Sequence, residues 1–559
     1  MRGTAVTALT ASCASLGLAE VAAAVPTGVP TAHAGLAARV VAAPAHFATL
    51  VTGFHGDRVH ALLGGAALVV LARGLAARRV VAYWLLVTVV TIALLDAYPR
   101  HPMRFAGALA VLALCGYVRS CFPARPDPGQ LRRAAVVGVV VLVTVAVTGV
   151  WLVATSREPT ADVERSVLSG LLVTPPPPVP AGTPGDVLML IAGAGLIVVV
   201  ARVLAPALPP EPGTRAQRAV VADLAAEDPD SLAPFATRAD RCYVFSPDGR
   251  AAIGYRVLFG TALAGGDPVG RAESGEQAVA EFVQHCVRHG WRPAVLAAGP
   301  GWVPVWQRHG LRGLTIGDEA ILDLDTFSLA TRRMRNVRQA VARSRRAGVR
   351  VGIATLDDEL AAELRPVVAD WLGDRRERGF SMNLDAILTP RPDCVIAVAR
   401  DAAGRPVGFA RVAICGGGET YTLDVAPRRR DAPNGVVERL IVETARYARD
   451  RGASEMSLNF AGLRTIFESP RLAARTAAVL LRVLDPWIEV RSLYRFTAKF
   501  RPAWRPRYLL LTSWWAIAWV GAAALYAELG RPAATGTRRP LSPIAGRPAR
   551  GVLGGHPRQ

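Results

Sequence analysis

The chain has 559 residues, of which 51% are hydrophobic, and a formal net charge of +21. Its mean hydropathy of +0.28 is too high for an ordinary soluble protein and too low for a chain built only of membrane helices, so a membrane part joined to a soluble part is favoured. Its basic residues are arginines apart from one lysine, Lys499, and their clustering favours ligands that carry phosphate. The 7 cysteines show no CxxC pair, so we predict reduced thiols without disulfides.

The first part of the chain has the composition of a membrane region. Residues 1–58 form an Ala-rich, low-complexity segment, within which 5–25 suits either a signal peptide or a marginal first span. In the region 59–207 we predict about five transmembrane helices. Their apolar segments are 61–72, 80–95, 105–118, 134–155 and 187–208.

Arginine in the short loops predicts the orientation of these spans. It concentrates in 73–79 and 119–133, and positive loops stay on the cytoplasmic side. With five spans, the chain after residue 208 is then cytoplasmic. We therefore predict a multi-pass protein of the cell membrane with a cytoplasmic C-terminal domain.

The remaining chain is predicted to be a linker at 208–230, a domain at 231–529 and a disordered basic tail at 530–559. Strand and helix patterns alternate through the domain, which indicates an α/β or α+β fold of two similar halves. The apolar stretch 509–527 is long enough for a sixth span. Because it directly follows the last sequence motif of the domain, we expect a helix packed on the domain or lying in the membrane interface.

Residues 421–461 are predicted to form a strand, a basic loop, a helix at 436–451 and a second strand. A loop at a helix N-terminus favours an anionic ligand, because free N–H groups and the helix dipole point there. Arg428, Arg429 and Arg430 add positive charge. An ordinary solvated connection is the alternative that the residue pattern leaves open.

Eight stretches between residues 230 and 508 form an ordered set. They are 230–235 (DSLAPF), 243–249 (YVFSPDG), 266–270 (GDPVG), 327–338 (FSL with RNVR), 378–382 (RGFSM), 431–435 (DAPNG), 457–461 (SLNFA) and 499–508 (KFRP with Trp504, Pro506, Arg507 and Tyr508). In this order the soluble region resembles the C-terminal domain of phosphatidylglycerol lysyltransferases, the multiple peptide resistance factor family.

The resemblance implies two tandem acyltransferase folds of the N-acetyltransferase (GNAT) type. It also implies transfer of an aminoacyl group, usually lysyl, from an aminoacyl-tRNA to the hydroxyl of phosphatidylglycerol. The product would be a cationic membrane lipid that weakens the attraction of cationic peptides. The implied partners are the aminoacyl-tRNA and phosphatidylglycerol, and no metal or redox cofactor is implied.

Three residues are the catalytic candidates: Asp424, Lys499 and Arg501. A lysine ammonium can approach an oxygen where a guanidinium would not fit, and on a strand Lys499 and Arg501 would face the same side. The resemblance implies that they are the active-site Lys and Arg. Asp424 is expected to orient the hydroxyl or the aminoacyl amine, with a capping role as the alternative.

The loop departs from the family pattern at Pro427, where the family often has an arginine, so Arg428 or Arg429 is expected to substitute. The asparagines 434 and 459 are expected to anchor the loop through their amides, with structural capping as an equally open alternative. The substrate-binding candidates are Arg378, Ser381, Arg428, Arg429, Asp431, Asn434 and Asn459.

A basic helix predicted at 327–347 is the candidate for binding tRNA. Ser328 is its expected N-cap, and Ala330, Met334, Val337 and Val341 its expected inner stripe. Its arginines, chiefly Arg332, Arg335 and Arg338, would follow the phosphates of an acceptor stem. A solvated face, or one that meets anionic headgroups, is the alternative.

Two further functions remain open from the sequence. One is an acyltransferase of the same fold that uses acetyl-CoA or modifies a cell-wall precursor. The loop 430–435 lacks the Gln/Arg-x-x-Gly-x-Gly/Ala spacing that would favour acetyl-CoA. The other is a non-enzymatic membrane protein that binds lipid, for which Pro427 is the best support.

Overall fold

The computed structural model describes residues 2–24, 58–98, 102–155, 184–373, 383–462 and 490–529. Six apolar helices come first. They are α1 (Arg2–Ala24), α2 (Arg58–Ala76), α3 (Val80–Ala97), α4 (Pro102–Val118), α5 (Pro128–Thr155) and α6 (Pro184–Val203). The five predicted apolar segments coincide with α2 to α6, although α6 ends before residue 208. The expected tail at 530–559 and residues 25–57 lie outside the described residues.

By length and composition, three stretches of the described helices could cross a membrane. They are Thr4–Val21, Pro102–Cys121 and Pro128–Leu152. The apolar parts of α2, α3 and α6 are shorter, so the count of five spans stays a prediction. α1 and α2 are in backbone contact, since a Cβ added to Gly17 would lie 2.7 Å from the carbonyl oxygen of Gly65. Such small-residue crossings are typical of membrane helices.

The turn between α2 and α3 is attached to the soluble domain by a buried arginine. Arg79 donates to the carbonyl oxygens of Arg125 and His289, each at 3.1 Å, and it is 1% exposed. Just after α6, the carbonyl oxygen of Ala207 accepts from Nε1 of Trp291 at 2.9 Å. The arginine-rich turn 73–79 therefore touches the domain, and the second arginine-rich loop, 119–133, is bonded to it through Arg79. The side of the membrane on which both lie stays a prediction.

The soluble part is built on one mixed sheet, which has twelve strands among the described residues. Its strands are β1 (Cys242–Phe245), β2 (Ala251–Leu258), β3 (Thr261–Ala264), β4 (Val269–Gly270), β5 (Arg292–Ala298), β6 (Arg312–Asp323), β7 (Arg350–Ala354), β8 (Cys394–Arg400), β9 (Pro406–Cys415), β10 (Thr420–Val425), β11 (Glu455–Gly462) and β12 (Ala503–Leu511). The order is β1-β2-β3-β5-β12-β6-β11-β10-β9-β8-β7, with β4 on β2.

Helices connect and cover these strands. They are α7 (Arg215–Glu227), α8 (Ala272–His289), α9 (Val303–Arg308), α10 (Arg335–Arg346), α11 (Asp358–Leu372), α12 (Val436–Arg449), α13 (Val490–Ala498) and α14 (Ile517–Leu529). α7 lies in the predicted linker and starts at a capping box formed by Thr214 and Gln217.

The two halves of the sheet repeat one arrangement. In the first half β1, β2 and β3 are antiparallel, and α8 leads from β3 to the parallel strand β5. In the second half β8, β9 and β10 are antiparallel, and α12 leads from β10 to the parallel strand β11. This topology agrees with the expectation of two similar halves.

The halves also exchange their last strands. β6 follows β5 in the chain but pairs with β11, and β12 follows β11 but pairs with β5. β6 and β12 pair with each other at the centre. The sheet is therefore continuous across both halves.

Alternate strand residues face opposite layers in the second half. Val395 of β8 packs in the cluster with Val337 of α10 and Leu440 of α12. Its neighbour Ile396 packs with Leu364 of α11. α10 and α12 thus cover one face of the sheet, and α11 covers the other.

α14 packs on the first half of the sheet, as expected for a helix packed on the domain. The predicted stretch 509–527 is not helical throughout, however, because residues 509–511 end β12 and the helix starts only at Ile517. Ala516, Val520 and Ala523 form a buried stripe against Leu263 and Leu511. The connection from β12 to α14 spans only residues 512–516, so the helix stays next to β12.

Candidate functional site

The two parallel strands of the second half separate where the site begins. β10 pairs with β11 only from Thr420–Glu455 to Thr422–Ser457. Beyond that point Asn459 has φ +71°, a conformation that Asn tolerates better than most residues. Its Nδ2 donates to the carbonyl oxygen of Leu423 at 3.0 Å. Asn459 therefore anchors the strands at their point of separation, as expected for an amide anchor, while its predicted role in binding substrate stays a proposal.

The first half repeats this feature. β3 and β5 pair as far as Ala264 and Val295, and Ala297 then has φ +69°. Ala297 and Asn459 each lie two residues beyond the last pair, so the positive φ is a property of the repeated fold. The first half has an alanine, Ala297, at the position where the second half has Asn459.

The opening between β10 and β11 leads to the N-terminus of α12. The helix starts at Val436, and its N-cap Gly435 has φ +95° with no side-chain cap. A Cβ at Gly435 would lie 2.1 Å from the carbonyl oxygen of Ala340 in α10, so glycine is required there. Helix N-termini at the carboxyl ends of parallel strands are common places for anionic ligands.

The loop before α12 runs along β9. The carbonyl oxygen of Pro427 accepts from the amide of Phe409 at 2.9 Å, and the amide of Arg429 donates to the carbonyl of Val407 at 2.9 Å. Pro427 supplies an acceptor to this pairing and needs no N–H. The departure from the family pattern is therefore compatible with an ordered loop.

Charges in this loop are partly paired with one another. Nε of Arg429 lies 3.2 Å from the carboxylate of Asp431, and this hydrogen bond lowers the pKa of Asp431. Arg405 lies 3.4 Å from the same carboxylate. Arg428 and Asn434 are exposed. Arg429 and Asp431 thus form an ion pair within the loop, whereas Arg428 and Asn434 remain accessible to a ligand.

Lys499 lies at the first turn of α12. Its Nζ is 3.2 Å from Oε1 of Glu438, and their side chains are 42% and 13% exposed. The next residue, Phe500, is 1% exposed in the core shared by α10 and α12. An ammonium has three donors, so the partly exposed Lys499 can give Glu438 one and offer others to a ligand.

Lys499 and Arg501 do not lie on a strand, which was the condition for their facing the same side. Lys499 directly follows α13, Arg501 has φ +54°, and β12 starts only at Ala503. Alternation along a strand therefore does not place these two side chains on one side. Arg501 is exposed.

Asp424 lies apart from Lys499. It is the next residue after Leu423, which faces α12, so its side chain points to the opposite face of the sheet. There its carboxylate accepts from Nε of Arg411 at 2.6 Å and from the amide of Leu384 at 2.9 Å. Because Asp424 is fully buried in this pair, the contacts favour positioning of the chain over orientation of a substrate hydroxyl.

The basic helix is shorter than predicted. α10 begins at Arg335 after a 3-10 turn, and the Ser328 hydroxyl accepts from the amide of Ala330 in an earlier turn. Ser328 is therefore not the N-cap, and Ala330 is exposed. The rest of the predicted inner stripe, Met334, Val337 and Val341, is buried.

Arginines cover the outer side of α10 and of the turn before it. The exposed ones are Arg332, Arg333, Arg335, Arg338, Arg343, Arg345 and Arg346, and we call this set the arginine face. Arg338 donates to the carbonyl of Thr331 at 3.1 Å, and Arg345 lies 3.2 Å from Glu443 of α12. Because α10 packs on α12, the arginine face borders the helix that carries Glu438.

Arg378 and Ser381 lie outside the described residues. No group of three or more His, Cys, Asp or Glu with metal-binding geometry occurs in the part of the chain that the structure describes.

Sequence reasoning missed two partners of its own candidates, Glu438 and Arg411. It also missed a buried network at the sheet centre. Arg507 lies 2.7 Å from Asp230 and 2.6 Å from Glu319, and these carboxylates raise the pKa of Arg507. Asp230 and Arg507 both belong to sequence stretches that carry the family resemblance, 230–235 and 499–508. The sequence therefore marked both residues but gave no role for them.

Comparisons with known proteins agree with this architecture. A family model described as phosphatidylglycerol lysyltransferase, C-terminal, matches residues 222–511. An MprF-like domain protein of Mycobacterium tuberculosis is 41% identical over 295 residues, which are 51% of this chain and 61% of that protein. The lysylphosphatidylglycerol biosynthesis bifunctional protein LysX of Gordonia bronchialis is 40% identical over 314 residues, which are 54% of this chain and 28% of that protein.

Two solved structures share the fold. The C-terminal domain of a protein assigned as a lysylphosphatidylglycerol synthetase, from Agrobacterium fabrum, has a TM-score of 0.50 and 25% identity, and the match covers 56% of this chain and 98% of that one. L-PGS from Bacillus licheniformis has a TM-score of 0.50 and 22% identity over 57% of this chain and 96% of that one.

The family model matches within the soluble part, and the chain spans less than two thirds of the length of these curated relatives. Within that part the ordered stretches, the repeated topology and the family model coincide. Because the model covers more than half of the 559 residues, the chain belongs to the family described as phosphatidylglycerol lysyltransferase, C-terminal.

Proposed function

We propose that this chain transfers an aminoacyl group from an aminoacyl-tRNA to a hydroxyl of phosphatidylglycerol, and that this group is lysyl. The observation that carries the proposal is the position of Lys499 at the N-terminus of α12, the helix against which α10 and its arginine face pack. Relatives whose names include lysylphosphatidylglycerol biosynthesis support the lipid product and the lysyl group.

The proposed reaction exchanges one ester for another. The hydroxyl oxygen of phosphatidylglycerol attacks the carbonyl carbon of the aminoacyl ester, and the ribose oxygen of the tRNA leaves. The proton of the hydroxyl passes to that leaving oxygen, so neither oxidant nor reductant is required. Catalysis then depends on positioning and on stabilising the charge that develops on the carbonyl oxygen.

Different residues bind the tRNA, stabilise the oxyanion and bind phosphate in this proposal. The arginine face, with Arg332, Arg335 and Arg338, binds the tRNA phosphates. Lys499 donates to the developing oxyanion, with Glu438 holding the ammonium in place. Arg428 and Arg501, both exposed, bind phosphate close to the α12 N-terminus.

The opposite face of the sheet has a positioning role in this proposal. Asp424 and Arg411 hold the segment 383–388, which directly follows the predicted substrate-binding residues Arg378 and Ser381. The apolar helices hold the chain in the membrane that contains the acceptor lipid. Since aminoacyl-tRNA is cytoplasmic, the domain would lie on the cytoplasmic side.

The test uses the full chain in nanodiscs that contain phosphatidylglycerol, supplied separately with labelled lysyl-, alanyl- and arginyl-tRNA. We expect a labelled, ninhydrin-positive lipid with lysyl-tRNA, and its loss when the tRNA is digested beforehand. A labelled lipid with alanyl- or arginyl-tRNA alone would keep the reaction and change the amino acid. Folded protein that labels no lipid with any of the three would overturn the proposal in favour of another acceptor or of lipid binding alone.

A further inference from the structure

Helix α14 has no polar side before its last turn. Every residue from Ile517 to Ala527 is apolar or glycine, apart from the phenol of Tyr526. Its buried stripe faces the sheet, while Trp519 is 55% and Tyr526 45% exposed on the other side. A helix that is apolar all round is normally covered all round, and the described residues cover only one side of this one.

A second exposed aromatic extends this surface. Phe259 and Gly260 form the two-residue turn between β2 and β3 with φ values of +49° and +72°, where a hairpin of this kind favours Asn-Gly. A bulky residue in this conformation is unusual. Phe259 is 56% exposed, and its ring centroid lies 5.2 Å from that of Tyr526. We call Phe259 together with the exposed side of α14 the aromatic face.

The aromatic face begins where the chain leaves the apolar helices. A Cβ at Gly260 would lie 3.0 Å from Cγ of Pro206, three residues after the end of α6. α6 itself packs closely along α5, because a Cβ at Gly195 would lie 2.3 Å from Cγ1 of Val141. Phe259, next to Gly260, therefore lies close to the C-terminal end of α6. The neighbouring helix α5 is long and apolar enough to cross a membrane, so this end of α6 marks one surface of that membrane.

We propose that the aromatic face rests on the lipid bilayer in which the apolar helices are embedded, as a second attachment of the domain to that membrane. At 1.5 Å per residue α14 is roughly 20 Å long, shorter than the ~30 Å hydrocarbon core, so it lies along the surface and does not cross. Trp and Tyr prefer this interface.

The sequence that follows supports lipid as the occupant. Residues 530–559 contain six arginines and no acidic residue, a composition attracted to anionic headgroups. Apolar insertion combined with basic charge is the usual pair of signals for a stable surface attachment. A second copy of this chain is the competing occupant, and the experiment separates the two.

The experiment places an environment-sensitive NBD dye on Trp519→Cys in the full chain, reconstituted at one copy per nanodisc of phosphatidylcholine and phosphatidylglycerol. Ala402→Cys is the matched control, because Ala402 is exposed in the turn between β8 and β9. From β3, which α14 covers, β9 is six strands away, or roughly 29 Å. The unsubstituted chain gives the background from Cys121, which is half-buried.

We expect emission from position 519 to shift to shorter wavelength and to lose intensity when the nanodiscs contain nitroxide-labelled lipid, while position 402 does neither. Equal, water-like emission from both positions would overturn the proposal. A blue-shifted signal at 519 that lipid nitroxide does not quench, and that appears only when discs hold two copies, would assign the face to a second chain. None of these signals depends on aminoacyl transfer, so this experiment tests the membrane attachment independently of the proposed function.

Discussion

Nε of Arg411 lies 2.6 Å from Oδ2 of Asp424, and the two side chains are 1% and 0% exposed. Arg411 also donates to the carbonyl oxygens of residues 385, 386 and 387. The pair thus fixes the segment 383–388 onto β9 and β10.

Replacement of Asp424 by Ala is expected to destabilise the domain. It leaves the Arg411 charge buried without its carboxylate, which costs about 3–5 kcal/mol. Thermal unfolding of the full chain in nanodiscs measures the effect. The matched control is Asp431→Ala, since its pair with Arg429 is half exposed, and such surface pairs contribute about 0–1 kcal/mol. Asp424→Ala protein with an unchanged Tm and no transfer would instead place Asp424 in contact with substrate.

Replacement of Lys499 by Ala is expected to slow transfer without a change in Tm. Loss of one donor to an oxyanion lowers a rate by about 10²–10³, whereas the pair with Glu438 is 42% exposed on the lysine side and adds little stability. Single-turnover transfer from lysyl-tRNA to phosphatidylglycerol measures the rate. Lys499→Arg keeps the charge in a bulkier group, and an intermediate rate is expected. Full activity of Lys499→Ala would remove Lys499 from the site.

Local patterns predicted local structure well. The unit of β10, α12 and β11 lies within one or two residues of its predicted limits, because strand alternation and helical spacing are properties of short segments. The exchange of β6 and β12 between halves was not predictable in this way. It depends on pairing between residues that are far apart in the chain.

The sequence indicated candidate residues for the site but not how they are arranged. Asp424 stood out next to a strand end, but its partner Arg411 lies on the neighbouring strand and has no local signature. Lys499 stood out as the lone lysine, yet the alternation assumed for Lys499 and Arg501 fails because Arg501 has φ +54°. Ser328 matched a capping pattern, but its hydroxyl is used in a turn that precedes the 3-10 turn at Arg332.

The arginine face predicts salt-dependent binding of tRNA. Removal of one phosphate contact is expected to lower the slope of log affinity against log salt by about 1. The double replacement Arg332→Ala and Arg335→Ala should therefore weaken binding of lysyl-tRNA and reduce the slope by about 2. Fluorescence anisotropy over a salt series with the full chain in nanodiscs measures both.

Arg215→Ala is the control for the arginine face, because Arg215 is an exposed arginine at the start of α7 and should leave the slope unchanged. A double variant that binds tRNA with the original slope would show that the arginine face contacts something else. Weaker binding to phosphatidylglycerol vesicles in the same variant would then identify anionic headgroups as its partner.

Asp267 predicts how stability depends on pH. Its carboxylate accepts from Nε1 of Trp306 at 3.1 Å and from the amide of Gly299 at 2.5 Å. Burial, with a smaller effect from Asp230, raises the pKa of Asp267 from 3.8 to about 7. Between these two values the folded chain holds a proton that the unfolded chain has lost.

The stabilisation from Asp267 is therefore complete below pH 4 and is lost as pH rises through about 7, with a slope of at most about 1.4 kcal/mol per pH unit. Asp267→Asn cannot ionise, so its free energy of unfolding should fall less between pH 5 and 7 than that of the original chain. Asp431→Asn should retain the original slope, because the pKa of Asp431 is lowered and the group is ionised in both states. Parallel curves for the original chain and Asp267→Asn would show that Asp267 is already ionised at pH 5 in the folded protein.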